Sequence, residues 1–312
     1  MAVAPTEFPT PTVAPITDFP RRKTLWQKLL RHRLFQIGGA ILLVLFCIYL
    51  ACALSFLINK PLLTGVFPQA SLPGGLNDLG EPHPPGGGFW LGADTLGRDV
   101  WTRVLYGTFI SLTVAVVAMI TATCIGVTVG LLGGYFGGWV DAVLTQITEI
   151  VLSLPTILLA ISLYVVLPGE TYSGRLFKLL LAIALVTWTG IARAVRGQVL
   201  SLKQQEYIEA ARALGVSHSR ILTRHLLPNV LPTVIVLATL ATAGNILLEA
   251  GLSYLGLGVD PSAASWGGMI AEGQAYILSA PWIILSAGAA LVLAVAGFNL
   301  LGQALQEVLE PR

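Results

Sequence analysis

The sequence predicts an all-α membrane protein with six transmembrane helices, and three observations carry that prediction. Of 312 residues, 55% are hydrophobic and only 11% charged, less than half of the roughly 25% usual in soluble domains. The apolar residues fall into long, non-alternating runs; because backbone groups in lipid must be paired internally, such runs select helices over a β-barrel. The basic residues, finally, are shared unevenly between alternate loops, as the positive-inside rule requires of a multi-pass chain. This composition excludes a soluble globular enzyme, a disordered chain and a disulfide scaffold. The 33 glycines suit close helix packing in a bilayer. A net charge of +2 leaves no uniform basic face for nucleic acid.

Over residues 1–20, Pro5, Pro9, Pro11, Pro15 and Pro20 in a nearly uncharged stretch predict a disordered cytoplasmic tail, with its bound drawn after the basic Arg21, Arg22 and Lys23 to give 1–23. Segment 24–60 carries the first span. Its run 34–58 has no charge and is followed by Asn59, Lys60 and Pro61 with no small-residue cleavage site, so it reads as a retained signal-anchor. Residues 61–107 form an extracytoplasmic loop, rich in Pro and Gly over 68–88. Within it Asp94, Arg98, Asp99 and Arg103 recur at helical spacing, which predicts a short amphipathic interfacial helix over 89–106, against the alternative of a solvated loop with chance spacing. A five-helix core spans 108–305. Its spans are expected at 108–134, 140–167 with Glu149 inside, 176–194, 229–249 and 281–304, with Lys178 and Arg193 near the ends of the 176–194 span, where both can snorkel. Residues 306–312 form a short tail. Six spans put 13 Lys or Arg on one side and five on the other. Both termini and the 204–229 loop are therefore expected in the cytoplasm, with the 59–107 and 250–280 loops outside.

Catalytic and metal-binding patterns are missing. No lysine follows a glycine, so there is no phosphate-cradling P-loop. There is no HExxH and no GxSxG; His218 and His225 stand seven apart without a third ligand nearby. Cys47, Cys52 and Cys124 have neither zinc-ligand spacing nor a CxxC pair and read as small buried side chains.

The most informative stretch is the 204–229 loop. Residues 206–214 are strong helix formers, and Gly215 sits where a helix ends. Ser217 is placed to cap a second short helix over 218–227, stopped by Pro228. Arg212, Arg220 and Arg224 project from this helix–Gly–helix elbow, and Tyr207, Ile208, Leu214, Ile221 and Leu222 supply its apolar stripe. A protruding elbow suits transmission of force from a soluble partner; the bland alternative is an amphipathic pair lying on the lipid surface.

Glu209-Ala210-Ala211, three residues, Gly215 and then Leu227-Pro228 resemble the EAA loop of bacterial ABC importer permeases. Further blocks in register resemble the dipeptide/oligopeptide/nickel permease family: LGADTLGRDVWTRVLYG at 91–107, GGYFGGWVDAVLTQITEIVLSLP at 133–155, RHLLPNVLP at 224–232, EAGLSYLGLGVDP at 249–261 and FNLLGQAL at 298–305. Together they cover about residues 24–310. The resemblance implies a permease subunit in the bacterial inner membrane that pairs with a homologous second permease and docks two ATPase subunits. An extracytoplasmic binding protein would deliver di- or oligopeptides, with nickel or another small solute as the alternative cargo. ATP and magnesium would be used by the ATPases, and no cofactor or catalytic residue is expected in this chain. Glu209, Ala210, Ala211, Gly215, Leu227 and Pro228 would form the coupling element.

Glu149, Asn245, Glu249 and Asn299 are costly in lipid and are expected to face the bundle interior or water, as pathway or gate residues. Glu249 is placed near the outer mouth, where it would meet a peptide's amino terminus or brace the following GLSYLGLG loop. Glu149 is placed near mid-depth, to contact substrate or hold a neighbouring helix. A secondary transporter using Glu149 and Glu249 as proton carriers would show repeated halves, and none are visible. An intramembrane protease would need a carboxylate dyad at one depth, which these two do not form.

Overall fold

The computed structural model describes residues 25–260 and 263–309, and among them there is no β-strand, only four isolated bridges in the loop before residue 100. The expected tail over 1–23 and the last three residues lie outside the described residues. Five helices are long and apolar enough to cross a membrane, and a bent pair makes a sixth when counted as one span. In chain order the helices are α1 (Leu25–Arg31), α2 (Arg33–Leu57), α3 (Val100–Phe136), α4 (Gly138–Ser153), α5 (Thr156–Val166), α6 (Tyr172–Leu202), α7 (Glu206–Ala213), α8 (His218–Arg220), α9 (Leu227–Tyr254), α10 (Trp266–Gly273) and α11 (Pro281–Leu309).

The centre of the bundle is the pair α3 and α6. Gly126, Gly130 and Gly134 lie one turn apart along α3, and a Cβ on any of them would come within 2.8 Å of α6 atoms, at Trp188 O, Ala192 O and Val199 Cβ respectively. Small residues at four-residue spacing let two backbones approach closely, so dispersion and packing replace the hydrophobic drive that lipid cannot supply. Around this pair Val114, Ala118, Ala122, Ile183 and Trp188 form one buried cluster, and α9 and α11 close a second with Trp266 and Met269 of α10.

Four expectations are corrected by these helices. The 140–167 span is broken: α4 and α5 meet at 98° across Leu154-Pro155. Leu154 is extended at φ −99° and ψ 140°, as the residue before a proline prefers. The interfacial helix over 89–106 is absent. Asp99 caps α3 by accepting from the Thr102 amide at 2.9 Å, so 100–106 is the first two turns of a transmembrane helix. Residues 89–99 are turns. The second elbow helix does not stop at Pro228: α8 runs through a π turn, Ile221–Leu226, directly into α9. Pro228 falls directly after that π turn, where the Leu227 amide donates to Leu222 O five residues back, and a local change of helical bonding of this kind accommodates a residue without an N–H. The tail expected over 306–312 is helical as far as Leu309.

Candidate functional site

At the elbow, α7 closes on Gly215 with φ +73°. The Gly215 amide donates to Arg212 O at 2.9 Å and the Val216 amide to Ala211 O at 3.0 Å, the paired bonds of a Schellman ending, which needs a left-handed residue at that point. The helix is two-faced. Ile208 is fully buried among Ile221, Leu226, Val230, Val195 and Val199, and Ala211 is buried with it. Glu209, Ala210 and Gly215 face outward, and Leu214 is 84% exposed. The predicted apolar stripe is thus split: Ile208 and Ile221 anchor the elbow, while Tyr207 and Leu214 are presented outward. Leu227 is half-buried and Pro228 exposed. Ser217 holds the N-cap position of α8 without a side-chain cap bond.

The elbow is tied to the end of α3. Tyr135 Oη and His218 Nδ1 lie 2.7 Å apart in a hydrogen bond, and the Arg212 guanidinium sits 5.1 Å from the Tyr135 ring centre, within cation–π range. Beside them Lys203 Nζ donates to Gly134 O at 2.9 Å.

The intramembrane polar residues do not gather in one place. Asn245, Glu249 and Ser253 lie a turn apart on one buried face of α9. Ser253 Oγ donates to Glu249 Oε1 at 2.7 Å, while Glu249 Oε2 and Asn245 Nδ2 are buried with no hydrogen-bond partner among the described residues. The Trp266 amide of α10 donates to Ser111 Oγ of α3 at 3.4 Å, which joins three helices around that face. Asn299 is half-buried on α11. Glu149 does not point into the bundle. Its side chain is 57% exposed, and Arg193 Nη2 donates to it at 3.3 Å. With Arg196, which is bonded to Asp141, this pair borders a 270 Å³ cavity between α3, α4 and α6. A charge pair exposed at that depth needs water or a protein partner beside it, because lipid would not tolerate it.

A family described as the binding-protein-dependent transport system inner membrane component matches residues 126–312. The chain belongs to that family. Relatives of this inner membrane component extend the match over the whole sequence. The dipeptide transport system permease protein of Alkalihalophilus pseudofirmus is 36% identical over 99% of this chain and 97% of its own length. The oligopeptide transport system permease protein of Bacillus subtilis is 38% identical over 76% of each. The glutathione transport system permease protein of Pectobacterium atrosepticum is 37% identical over 73% of this chain and 74% of its own.

Sequence reasoning about this inner membrane component missed one charged assembly. Asp94, Arg98 and Arg103, read as one face of a surface helix, are instead buried and bonded to the half-buried Glu272 of α10. Arg98 Nε donates to Asp94 Oδ2 at 2.6 Å, and Arg98 Nη2 to Glu272 Oε2 at 2.9 Å. Arg103 bonds both carboxylates, reaching Glu272 Oε1 at 3.1 Å. Two guanidiniums and two carboxylates sum to zero, which is the condition for burying them. The four-residue spacing of Asp94 and Arg98 was visible in the chain. Glu272, 169 residues beyond Arg103, gave no local signal.

Proposed function

We propose that this chain is a membrane-spanning permease subunit of an ATP-driven importer of di- or oligopeptides, working beside a homologous permease, two ATPase subunits and an extracytoplasmic binding protein. The reading is supported by a relative named for dipeptide transport along nearly the full chain and one named for oligopeptide transport over 76% of it. The observation that carries it is the outward face of the elbow: Glu209, Ala210 and Leu214 on a short helix closed by Gly215 and anchored beneath by Ile208. Small alanines allow a helix to enter a groove of a soluble subunit, and an anchored helix transmits displacement as a rigid lever. Leu227 and Pro228 lie where that lever continues into α9. ATP and magnesium would act in the ATPases. With the elbow cytoplasmic, both termini are cytoplasmic and the loop before α3 is outside, in line with the 13-to-five division of basic residues.

In this reading Glu249 and Asn245 brace α9 against α3 and α10 near the outer mouth, Asn299 belongs to the pathway side of α11, and Glu149 with Arg193 lines a watered face. The deciding experiment is reconstitution of the whole transporter in vesicles with its binding protein. Gly215→Pro cannot adopt φ +73°, so the chain should still reach the membrane while ATP-driven peptide uptake is lost. Uptake at the wild-type rate would overturn the coupling role, and uptake driven by a proton gradient without ATP would overturn the importer class.

A further inference from the structure

A groove of 650 Å³ runs between α2, α3 and α11, inside the range of about 300–1,000 Å³ that holds small molecules. Leu29 and Phe35 line one end, Tyr49 the other, and Val117 and Phe298 face α2 across it. Its origin lies in two adjacent glycines. A Cβ on Gly38 would lie 2.9 Å from Leu300 Cβ, so this glycine draws α2 against α11. A Cβ on Gly39 would meet nothing within 4 Å, so this one leaves space beside the contact.

The groove's two ends differ. Tyr49 and Thr113 close one with a hydroxyl hydrogen bond of 3.3 Å. At the other, lined by Leu29 and Phe35, the neighbouring residues in the chain Lys28, Arg31 and Arg33 are exposed and make no ion pair among the described residues. Glu307 of α11, at this same end, is taken by His32 at 2.8 Å. The charge-free stretch of α2 begins directly after Arg33, so these three cations stand at a membrane–water boundary, whichever side of the membrane that is. From Phe35 to Tyr49 the helix rises about 21 Å, somewhat more than one leaflet of a hydrocarbon core about 30 Å thick. A single hydrocarbon chain suits the volume, and the three free cations suit an anionic headgroup.

We propose that this groove binds one acyl chain of an anionic phospholipid whose phosphate is held by Lys28, Arg31 and Arg33. The site is separate from the elbow and from the polar face of α9, and it stands whether or not the transport reading does. The test uses the assembled transporter in nanodiscs of equal phosphatidylglycerol and phosphatidylcholine, followed by native mass spectrometry of the released chain. The wild type should retain one phosphatidylglycerol with at least tenfold preference, since each basic residue near an anionic surface is worth about fivefold. Gly39→Trp should keep the wild-type melting temperature and lose the lipid; Val117→Trp fills the groove from the opposite wall should the first variant fail to fold. Replacing Lys28, Arg31 and Arg33 together by Gln should leave a lipid bound without headgroup preference. Equal retention by the wild type and a folded groove-filling variant would overturn the proposal, as would a wild type with no headgroup preference. Disulfide capture of a neighbouring subunit's helix by Gly39→Cys would assign the groove to protein instead.

Discussion

At the α10 end of the molecule Asp94, Arg98, Arg103 and Glu272 are packed against one another, whereas at the elbow end the charged side chains of α7 face outward. The first set ties the loop before α3 to α10, and two indoles reinforce it: Trp282 Nε1 donates to Ala93 O at 3.0 Å and Trp266 Nε1 to Val104 O at 3.1 Å. The elbow has one hydroxyl–imidazole bond, one guanidinium on a ring and a strip of aliphatic packing. A buried, mutually neutralised charge cluster is all-or-none, since removing one member strands another. A two-faced helix on an apolar strip can shift without stranding anything. The contrast makes the α10 end a fixed block, and it suits the elbow to the moving role proposed for it.

Breaking the fixed block should give the largest effect. Arg103→Leu leaves Asp94 and Glu272 sharing the one guanidinium of Arg98, a net negative charge packed into the fold, and unbalancing such a set costs about 3–5 kcal/mol, a large share of a typical stability of about 5–15 kcal/mol. Thermal unfolding in detergent should show a drop of many degrees, partly recovered when Asp94→Asn is added; an unchanged transition would refute the lock. Gly267→Ala comes next. Its methyl would enter the space of the Ala250 backbone, where α10 crosses α9, and overpacking of this kind costs about 1–3 kcal/mol. A melting temperature within a degree of wild type would show that α10 is not fixed there. At the elbow, Tyr135→Phe removes only the bond to His218, worth about 0.5–1.5 kcal/mol. Global stability should barely move while amide exchange over 206–216 accelerates; unchanged exchange there would mean that Tyr135 does not hold the elbow.

The smallest effect belongs to an exposed carboxylate on a buried lysine. Lys178 Nζ donates to Glu170 at 2.9 Å, and this bond, with the ammonium charge, holds the Glu170 carboxyl below its ordinary value of 4.5. A carboxyl depressed in the folded state stabilises above its unfolded value, and that contribution disappears as pH falls through the folded one. The wild type should therefore lose slightly more stability than Glu170→Gln between pH 5.5 and 3.5. A larger loss in the variant would reverse the sign. Because Glu170 is 79% exposed, water screens most of the interaction.

Much of this molecule was legible in the chain. Charge-free runs placed the spans because the cost of polar groups in lipid acts locally, on each residue whatever its neighbours. Gly215 marked the end of α7 because a left-handed position favours glycine in any context. The bend at Leu154-Pro155 was missed because periodicity weighs a window of residues, while a proline acts on one peptide unit. The fate of Pro228 was missed in the opposite sense: a residue that usually stops a helix is passed here because the π turn before it changes the bonding, and nothing in the local sequence marks that turn.

The sequence by itself determined that this is a helical membrane protein of about six spans with a two-faced elbow, since hydropathy, caps and glycines are short-range properties. Tertiary structure alone decided which charges meet. Glu149 is paired with Arg193 on an open face, while Glu249 lies inside with the Ser253 hydroxyl as its partner, and Arg103 finds Glu272 across 169 residues. The physical reason is that a charge's environment is set by the helices folded against it, and spacing along the chain carries no record of them.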